Sequence, residues 1–167
     1  AAVCCLFLFK PLDTEAADVN GASFTAVGKG LVNYISTSST PIANCGDFNR
    51  ISDVNHSVIS ARLIPAEGGA VEHCEIHGVI APEIQYIVNL PAKWNRRLYM
   101  IGNGGFGGQS VISDYAVEDR AKARRLGFVT AFTNTGHGED AHFASWAHNN
   151  IQKEIDYGYR SIHLTAV

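Results

Sequence analysis

Alternating apolar and polar residues predict two neighbouring β-strands in the middle of the chain. Every second residue is apolar or small in the segments CEIHGVI and EIQYIVNL, and these positions are Cys74, Ile76, Gly78, Ile80, Ile84, Tyr86, Val88 and Leu90. A period of two residues is that of a strand with one buried face. Only a short Ala81-Pro82 connection separates the two segments, which favours an antiparallel hairpin or meander. SVISARLI, just before them, predicts another strand.

The pattern changes after residue 95. RRLYMI and FVTAFT are short apolar runs typical of buried strands. Between them SDYAVEDRAKARRLG predicts a surface helix, with Ser113 as its N-cap and Gly127 as its stop. Apolar residues near the end of the chain recur at spacings of three and four, as on one helix face: Ile151, Ile155, Tyr159, Ile162 and Ala166. We therefore expect an α/β fold, in which antiparallel strands lead into a parallel sheet flanked by helices.

Residues 1–57 show no such periodicity and predict an irregular N-terminal segment. STSSTPIANCGDFN is rich in loop-forming residues. Residues 58–167 predict the first part of an α/β domain. The last helical pattern runs to Val167 without a glycine, proline or cationic last turn. We therefore expect the chain to be the N-terminal part of a longer protein.

The composition excludes some classes of protein. The chain has 167 residues, 46% hydrophobic and 17% charged, with a net charge of −3, which is the balance of a globular domain and not of a disordered one. It has no stripe of Lys and Arg, so we expect no nucleic-acid partner. The N-terminal run AAVCCLFLF is too short to span a membrane, and no membrane partner is expected. That run suits either the tail of a signal peptide or the apolar start of a mature domain.

The four cysteines are Cys4, Cys5, Cys45 and Cys74. None forms a CxxC pair, which argues against a zinc ribbon. Their wide spacing suits a disulfide in an exported protein, or buried free thiols. Asn55-His56-Ser57 is a glycosylation sequon, although so short a pattern arises often by chance.

The stretch MIGNGGFGG, residues 100–108, follows an apolar strand and precedes the predicted helix. Three interpretations compete. A dinucleotide loop would use Gly102, Gly104 and Gly107, but the strand comes late and no acidic residue ends the next strand. A tight structural turn is the plain alternative. The third is an oxyanion loop, in which glycines let backbone N–H groups approach a developing negative oxygen.

Two further groups of residues could bind a metal or a ligand. His137, Asp140, His142 and His148 cluster in GHGEDAHFASWAH, but this segment lacks a helical frame for a metal, so no metal site is expected and His137 is interpreted as part of a structural turn. Trp94 and Asn95 suit a turn between strands better than a stacking platform for a ligand.

Several segments together resemble the tannase/feruloyl esterase family of α/β-hydrolases, which includes mono(2-hydroxyethyl) terephthalate hydrolase. The resemblance lies in six stretches, in chain order: the Cys5-Leu-Phe-Leu8 start, DVNGASFT, EHCEIHGVI, NLPAKWNRRLYMIGNGGFGG, GFVTAFTNTGH and IDYGYRSIHLTAV. It covers almost the whole chain and thins over residues 28–57. No single stretch is specific, but their combination is.

The resemblance implies roles for the glycine stretch. Gly105 matches the family residue whose N–H forms half of an oxyanion hole, while Gly104 and Phe106 would shape the substrate side of the loop. A core role for Phe106 is the alternative. The resemblance also pairs Cys5 with Cys74, which would make the first residues part of the mature, exported protein. Cys4 and Cys45 would then pair with each other or stay free.

The family's nucleophile lies in a Cys-Ser-x-Gly-Gly elbow beyond the helix that ends here, and its acid, its histidine and a lid domain with calcium lie further on. No cofactor is therefore expected in this chain, and Ser110 lies in no elbow. The implied protein is a secreted or periplasmic serine carboxylesterase for galloyl, feruloyl or related hydroxybenzoate esters, and these 167 residues alone would be inactive. A non-catalytic binding module is the alternative, and a nucleotide-binding oxidoreductase is a more distant one.

Overall fold

A computed structural model describes residues 39–115, 117–138 and 142–167. Five strands form one sheet in the order β1-β2-β3-β5-β4. The strands are β1 (His56–Ile64), β2 (His73–Ile80), β3 (Ile84–Pro91), β4 (Leu98–Met100) and β5 (Val129–Thr133). The helices are α1 (Val117–Arg125), α2 (Ile151–Ile155) and α3 (Ser161–Ala166), and a π-helical turn, Asp156–Arg160, joins the last two. Short 3-10 helices cover Cys45–Arg50 and Ser145–Ala147.

The first three strands form an antiparallel meander, as the alternation predicts. β2 and β3 pair without a break, from His73 opposite Pro91 to Ile80 opposite Ile84. The predicted inward positions of β2 are all buried, and so are Ile84 and Tyr86 in β3. The period of two thus placed both strands to within one residue of their ends.

The sheet then changes direction. β5 pairs antiparallel with β3 and parallel with β4, which lies at one edge of the described sheet. The expected mixed sheet is therefore present, with a single parallel pair among the described strands. The carboxyl ends of the two parallel strands, β4 and β5, lie side by side, and the glycine stretch begins at the end of β4.

Each face of the sheet has its own apolar cluster. On one face Ile76, Ile80 and Ile84 pack with Tyr86, whose ring covers Gly78 on the neighbouring strand. On the other face Phe132 of β5, fully buried, packs with two residues, Ile87 and Val111.

Helix α1 is shorter than the pattern predicts. It begins at Val117, and the Ser113 hydroxyl instead donates to the Ser110 carbonyl at 2.7 Å in the turn before it. Ser113 as N-cap was therefore wrong, because its hydroxyl is used in that turn. Gly127 as the stop is confirmed: its φ is +83° and its N–H donates to the Arg124 carbonyl.

The final helix is not packed through the predicted apolar face. Ile151 and Tyr159 are 69% and 64% exposed, whereas Asp156 and Ser161 are fully buried. The π turn adds a residue to one turn and so shifts the phase of the residues that follow. A constant period of 3.6 residues could not anticipate this shift. No helix within the described ranges is long and apolar enough to cross a membrane.

Cys74 is bonded to Cys45, with a Cα–Cα distance of 5.5 Å. The predicted Cys5–Cys74 bond is therefore wrong, because a sulfur forms one disulfide; a Cys4–Cys45 bond is excluded for the same reason. Cys4 and Cys5 lie outside the described residues. The Asn49 amide explains the observed pairing. It bonds both the N–H and the carbonyl of Ala61, at 2.7 and 2.9 Å, which docks the 3-10 helix carrying Cys45 on β1, the neighbour of the strand that carries Cys74.

Removing this disulfide should lower stability substantially. The bond closes a loop with a sequence separation of 29, and the chain-entropy model gives about 3.5 kcal/mol for such a loop. We expect Cys45→Ser and Cys74→Ser each to lower the midpoint of thermal unfolding by roughly 10 °C. Cys5→Ser is the control and should leave the Cys45–Cys74 bond intact. Non-reducing peptide mapping that joins Cys5 to Cys74 would contradict the assignment.

Candidate functional site

The candidate site lies where the parallel strands β4 and β5 end. The glycine stretch follows β4, and residues 134–138 follow β5. In sheets of this kind, ligands bind beyond the carboxyl ends of parallel strands. The two segments meet here, so the predicted loop lies at the end of the sheet where such ligands bind.

Residues 104–107 form a tight turn. The Gly107 N–H donates to the Gly104 carbonyl at 3.0 Å. Gly105 has a φ of +57°, whereas Phe106 has no positive φ. A positive φ at the first central residue alone is the pattern of a type II′ turn, which takes glycine at that position. The backbone itself therefore requires Gly105.

This turn directs the Gly105 N–H outward. The Gly104 carbonyl also accepts a hydrogen bond from Gln109 Nε2 at 3.2 Å. In a planar trans peptide the carbonyl and the following N–H point in opposite directions. Gly105 is exposed, and its N–H makes no hydrogen bond to any residue the structure describes.

The next two carbonyls are also held from the protein side. Tyr157 Oη donates to the Gly105 carbonyl at 3.4 Å, and His137 Nε2 lies 2.8 Å from the Phe106 carbonyl. The same planarity turns the Phe106 N–H away from Tyr157. Across residues 39–115, 117–138 and 142–167 it finds no acceptor. Two successive N–H groups are thus available to an acceptor outside the turn.

Gly107 and Gly108 are required for a different reason, close packing. Both have positive φ, +79° and +82°. A Cβ on Gly107 would overlap the Thr135 hydroxyl, and a Cβ on Gly108 would overlap the Gly138 carbonyl and lie 2.7 Å from His137 Cε1. The Gly108 N–H donates to Thr135 Oγ1 at 3.1 Å. The glycine loop is therefore packed directly onto the turn after β5.

That turn is itself tightly fixed. Thr135 is buried with a φ of +61°, which is rare for a β-branched residue. The Asn134 side chain bonds four backbone groups: its oxygen accepts from Gln85 and Gly136, and its nitrogen donates to the carbonyls of Glu83 and His137. Such a saturated amide can hold a strained turn in place. Sequence reasoning missed both residues, although TNTGH directly after a buried strand is their signal.

His137 lies at the centre of the contact. It is 1% exposed, and its ring stacks on Trp146 with centroids 3.9 Å apart and an interplanar angle of 9°. The Tyr157 ring lies beside this stack, with its centroid 5.1 Å from that of Trp146 and 6.1 Å from that of His137. As predicted, His137 belongs to the structural turn after β5, but its contact with the glycine loop has no signal in the local sequence.

The predicted site residues all belong to the turn at residues 104–107. Gly104, Gly105 and Phe106 occupy consecutive positions of the turn. Phe106 is 40% exposed among the described residues, and its carbonyl faces His137. The catalytic role of Gly105 and the substrate contacts of Gly104 and Phe106 stay predictions.

The histidine cluster does not assemble into a metal centre where the structure describes it. Both ring nitrogens of His137 face carbonyls, and His148 Nε2 faces the Asn149 amide. Among the described residues, no three His, Cys, Asp or Glu side chains converge as metal ligands. Asp140 lies outside those residues.

Trp94 and Asn95 form the turn that leads into β4. Trp94 Nε1 donates to the Arg97 carbonyl at 3.0 Å, and Asn95 bonds the Leu126 carbonyl and the Arg97 N–H. These contacts support the interpretation of a structural turn over that of a ligand platform.

A polar pocket lies between α1 and the sheet. Arg120 is 4% exposed there, and its guanidinium lies over the Phe132 ring. Burial lowers the pKa of Arg120, and the charge of Arg124 lowers this pKa further. Burial raises the pKa of Glu75, but hydrogen bonds from Arg62 and His77 outweigh burial and leave this pKa lowered. This pocket is separate from the glycine loop.

The chain is similar to known proteins. A family model described as tannase and feruloyl esterase matches residues 69–167. The matched residues contain the four strands β2 to β5, the glycine loop and the turn after β5.

Individual relatives are similar at a lower level. An uncharacterized esterase of Xanthomonas campestris pv. campestris is 28% identical over 88% of this chain and 27% of its own length. Feruloyl esterase B of Aspergillus niger is 25% identical over 72% of this chain and 26% of its own. The crystal structure of feruloyl esterase B from Aspergillus oryzae superposes with a TM-score of 0.57 at 25% identity, covering 72% of this chain and 27% of that one. The chain thus spans about a quarter of the length of these relatives.

Proposed function

Because the chain belongs to the tannase and feruloyl esterase family, we propose that it forms the first part of an α/β-hydrolase that cleaves carboxylic esters. The aromatic esters named from the resemblance, galloyl, feruloyl or related hydroxybenzoate esters, are the proposed substrates. The Cys45–Cys74 disulfide supports export to an oxidising compartment. No cofactor is proposed for this chain.

The contribution proposed for this chain is an oxyanion donor. In acyl transfer a serine attacks the ester carbonyl, whose oxygen becomes negative in the tetrahedral intermediate. The Gly105 N–H would donate to that oxygen, and Phe106 would line the substrate side. The observation that carries the proposal is the type II′ turn, which leaves this N–H without a partner in the described structure, at the carboxyl end of the parallel pair. The serine and its base are proposed to lie beyond Val167.

Gly105→Pro tests this proposal in the full-length protein. Proline has no N–H and fixes φ near −65°, so it removes the donor and cannot form the observed turn. We expect kcat on methyl ferulate or methyl gallate to fall by about 10²–10³-fold, the usual cost of losing one oxyanion donor. Gly102→Ala is the matched control in the same loop, since a Cβ there meets nothing within 4 Å, and it should keep its activity.

The outcomes separate the alternatives. Loss in Gly105→Pro with retention in Gly102→Ala supports the donor. Equal activity of both variants would remove Gly105 from the mechanism. A folded full-length protein without turnover on methyl ferulate, methyl gallate or p-nitrophenyl acetate would favour the non-catalytic binding module.

A further inference from the structure

We propose that His137 is a positioning residue for the oxyanion loop, with Tyr157 as a second and weaker anchor. The two side chains hold successive carbonyls of the loop against the protein, so that the Gly105 and Phe106 N–H groups face the site. The inference rests on the proposed function in that it assigns these N–H groups to an ester carbonyl.

The His137 ring is fixed on several sides. It is buried, stacked on Trp146 and bonded at Nε2 to the Phe106 carbonyl at 2.8 Å. Its opposite nitrogen, Nδ1, lies 2.7 Å from the Gly138 carbonyl. The absence of a Cβ on Gly108 leaves room for the ring. A ring held in this way can fix the position of the carbonyl that it contacts.

The contact is transmitted to Gly105 through two peptide planes. Holding the Phe106 carbonyl orients the plane that also carries the Gly107 N–H. That N–H donates to the Gly104 carbonyl at 3.0 Å. The Gly104 carbonyl belongs to the plane of the Gly105 N–H, which points the opposite way. His137 therefore sets the direction of the Gly105 donor without touching it.

The proton on the imidazole matters for this role. A carbonyl only accepts, so Nε2 has to carry a hydrogen for His137 to hold Phe106. A neutral imidazole has only one N–H and can donate to one of the two carbonyls, that of Phe106 or that of Gly138. Only a doubly protonated ring can donate to both at once. Tyr157 needs no such condition, but 3.4 Å is long for a hydroxyl donor, so its bond is weaker.

A pair of substitutions separates positioning from simple burial. The amide nitrogen of glutamine reaches about the place of Nε2, whereas that of asparagine reaches about the place of Nδ1. His137→Gln thus keeps a donor for Phe106, and His137→Asn loses it, while both variants lose the stack on Trp146. In the full-length enzyme we expect His137→Asn to lower kcat by about 10²-fold, as for a displacement of about 1 Å. KM should change little, because the donor acts in the transition state.

His137→Gln should keep more of its kcat than His137→Asn by about an order of magnitude. Tyr157→Phe, which removes only a hydroxyl, should lower kcat by a few-fold, in keeping with its long bond. His163→Gln and Tyr159→Phe change exposed side chains and should leave kcat unchanged. Equal losses in both His137 variants, with Tyr157→Phe like wild type, would show a merely structural role and overturn the proposal.

Two measurements need neither substrate nor activity. Amide hydrogen exchange at Gly107 reports its bond to Gly104, and it should accelerate in His137→Asn but not in His137→Gln. In the wild type, the ¹⁵N resonance of His137 Nε2 should be that of a protonated nitrogen; an unprotonated Nε2 would overturn the proposal even if no variant folds. If the full-length protein turns over no ester, the proposed function fails, while these two measurements still decide the positioning role.

Discussion

Gly108→Ala should both destabilise the protein and disable the glycine loop. Its φ of +82° costs alanine about 1–2 kcal/mol relative to glycine. A Cβ there would also overlap the Gly138 carbonyl and crowd the His137 ring, and overpacking of this kind costs about 1–3 kcal/mol more. We expect a loss of roughly 2–5 kcal/mol in total, and a kcat about 10²-fold lower in the full-length enzyme because the loop is displaced.

The matched control for Gly108→Ala is Gly102→Ala in the same loop. Gly102 lies outside the left-handed region of φ, and a Cβ there meets no atom within 4 Å. Its substitution should change the midpoint of thermal unfolding by less than about 2 °C. Thermal unfolding and ester hydrolysis of both variants test the contrast. If Gly108→Ala were as stable as Gly102→Ala, the close packing of the loop on the turn after β5 would be contradicted.

The contrast between these two glycines also shows what the sequence can reveal. The richness of MIGNGGFGG in glycine predicts a turn after a strand, and the turn is there. It does not say which glycine needs a left-handed φ and close packing, as Gly108 does, and which has room for a side chain, as Gly102 has. That depends on residues 134–138, which are remote in sequence and adjacent only because β4 and β5 pair in parallel.

The strands were predictable because their period is local. Which residues of β2 face the core can be read from the alternation of neighbouring residues, and the observed burial agrees with it. The partner of Cys74 was not predictable, since cysteine spacing does not fix connectivity. Cys45 reaches Cys74 because Asn49 docks a 3-10 helix on the β1 edge, and an irregular loop composition carries no signal for this contact.

The last helix shows how a correct local pattern can still give a wrong face. Its residues are helical as predicted, but the π turn at Asp156–Arg160 changes the phase. Asp156, which is not among the residues of the predicted apolar face, is fully buried. The Asp156 side chain packs against the turn after β5, so closely that a Cβ on Gly136 would lie 2.5 Å from the Asp156 Cβ. The buried charge needs a partner, and the structure supplies Arg160.

Arg160→Met should therefore be strongly destabilising. Arg160 Nη1 donates to Asp156 Oδ1 at 2.7 Å, and its Nη2 donates to the Ala81 carbonyl at 2.7 Å. Without Arg160, Gln152 would be the remaining observed donor to that carboxylate. Breaking a buried pair by removing one partner costs about 3–5 kcal/mol, because an uncompensated charge is left inside. Methionine keeps much of the apolar stem, so the loss reports the charge more than the packing.

Arg62→Met is the matched control for Arg160→Met. Arg62 bonds Glu75 at a similar distance, 2.8 Å, but the Arg62 side chain is 67% exposed. Exposed pairs contribute about 0–1 kcal/mol, so Arg62→Met should shift the unfolding midpoint only slightly. Adding Asp156→Asn to Arg160→Met should restore part of the stability, since the neutral amide has no charge to compensate. Equal midpoints for Arg160→Met and Arg62→Met, or a double variant no more stable than Arg160→Met, would mean that the buried carboxylate does not depend on Arg160.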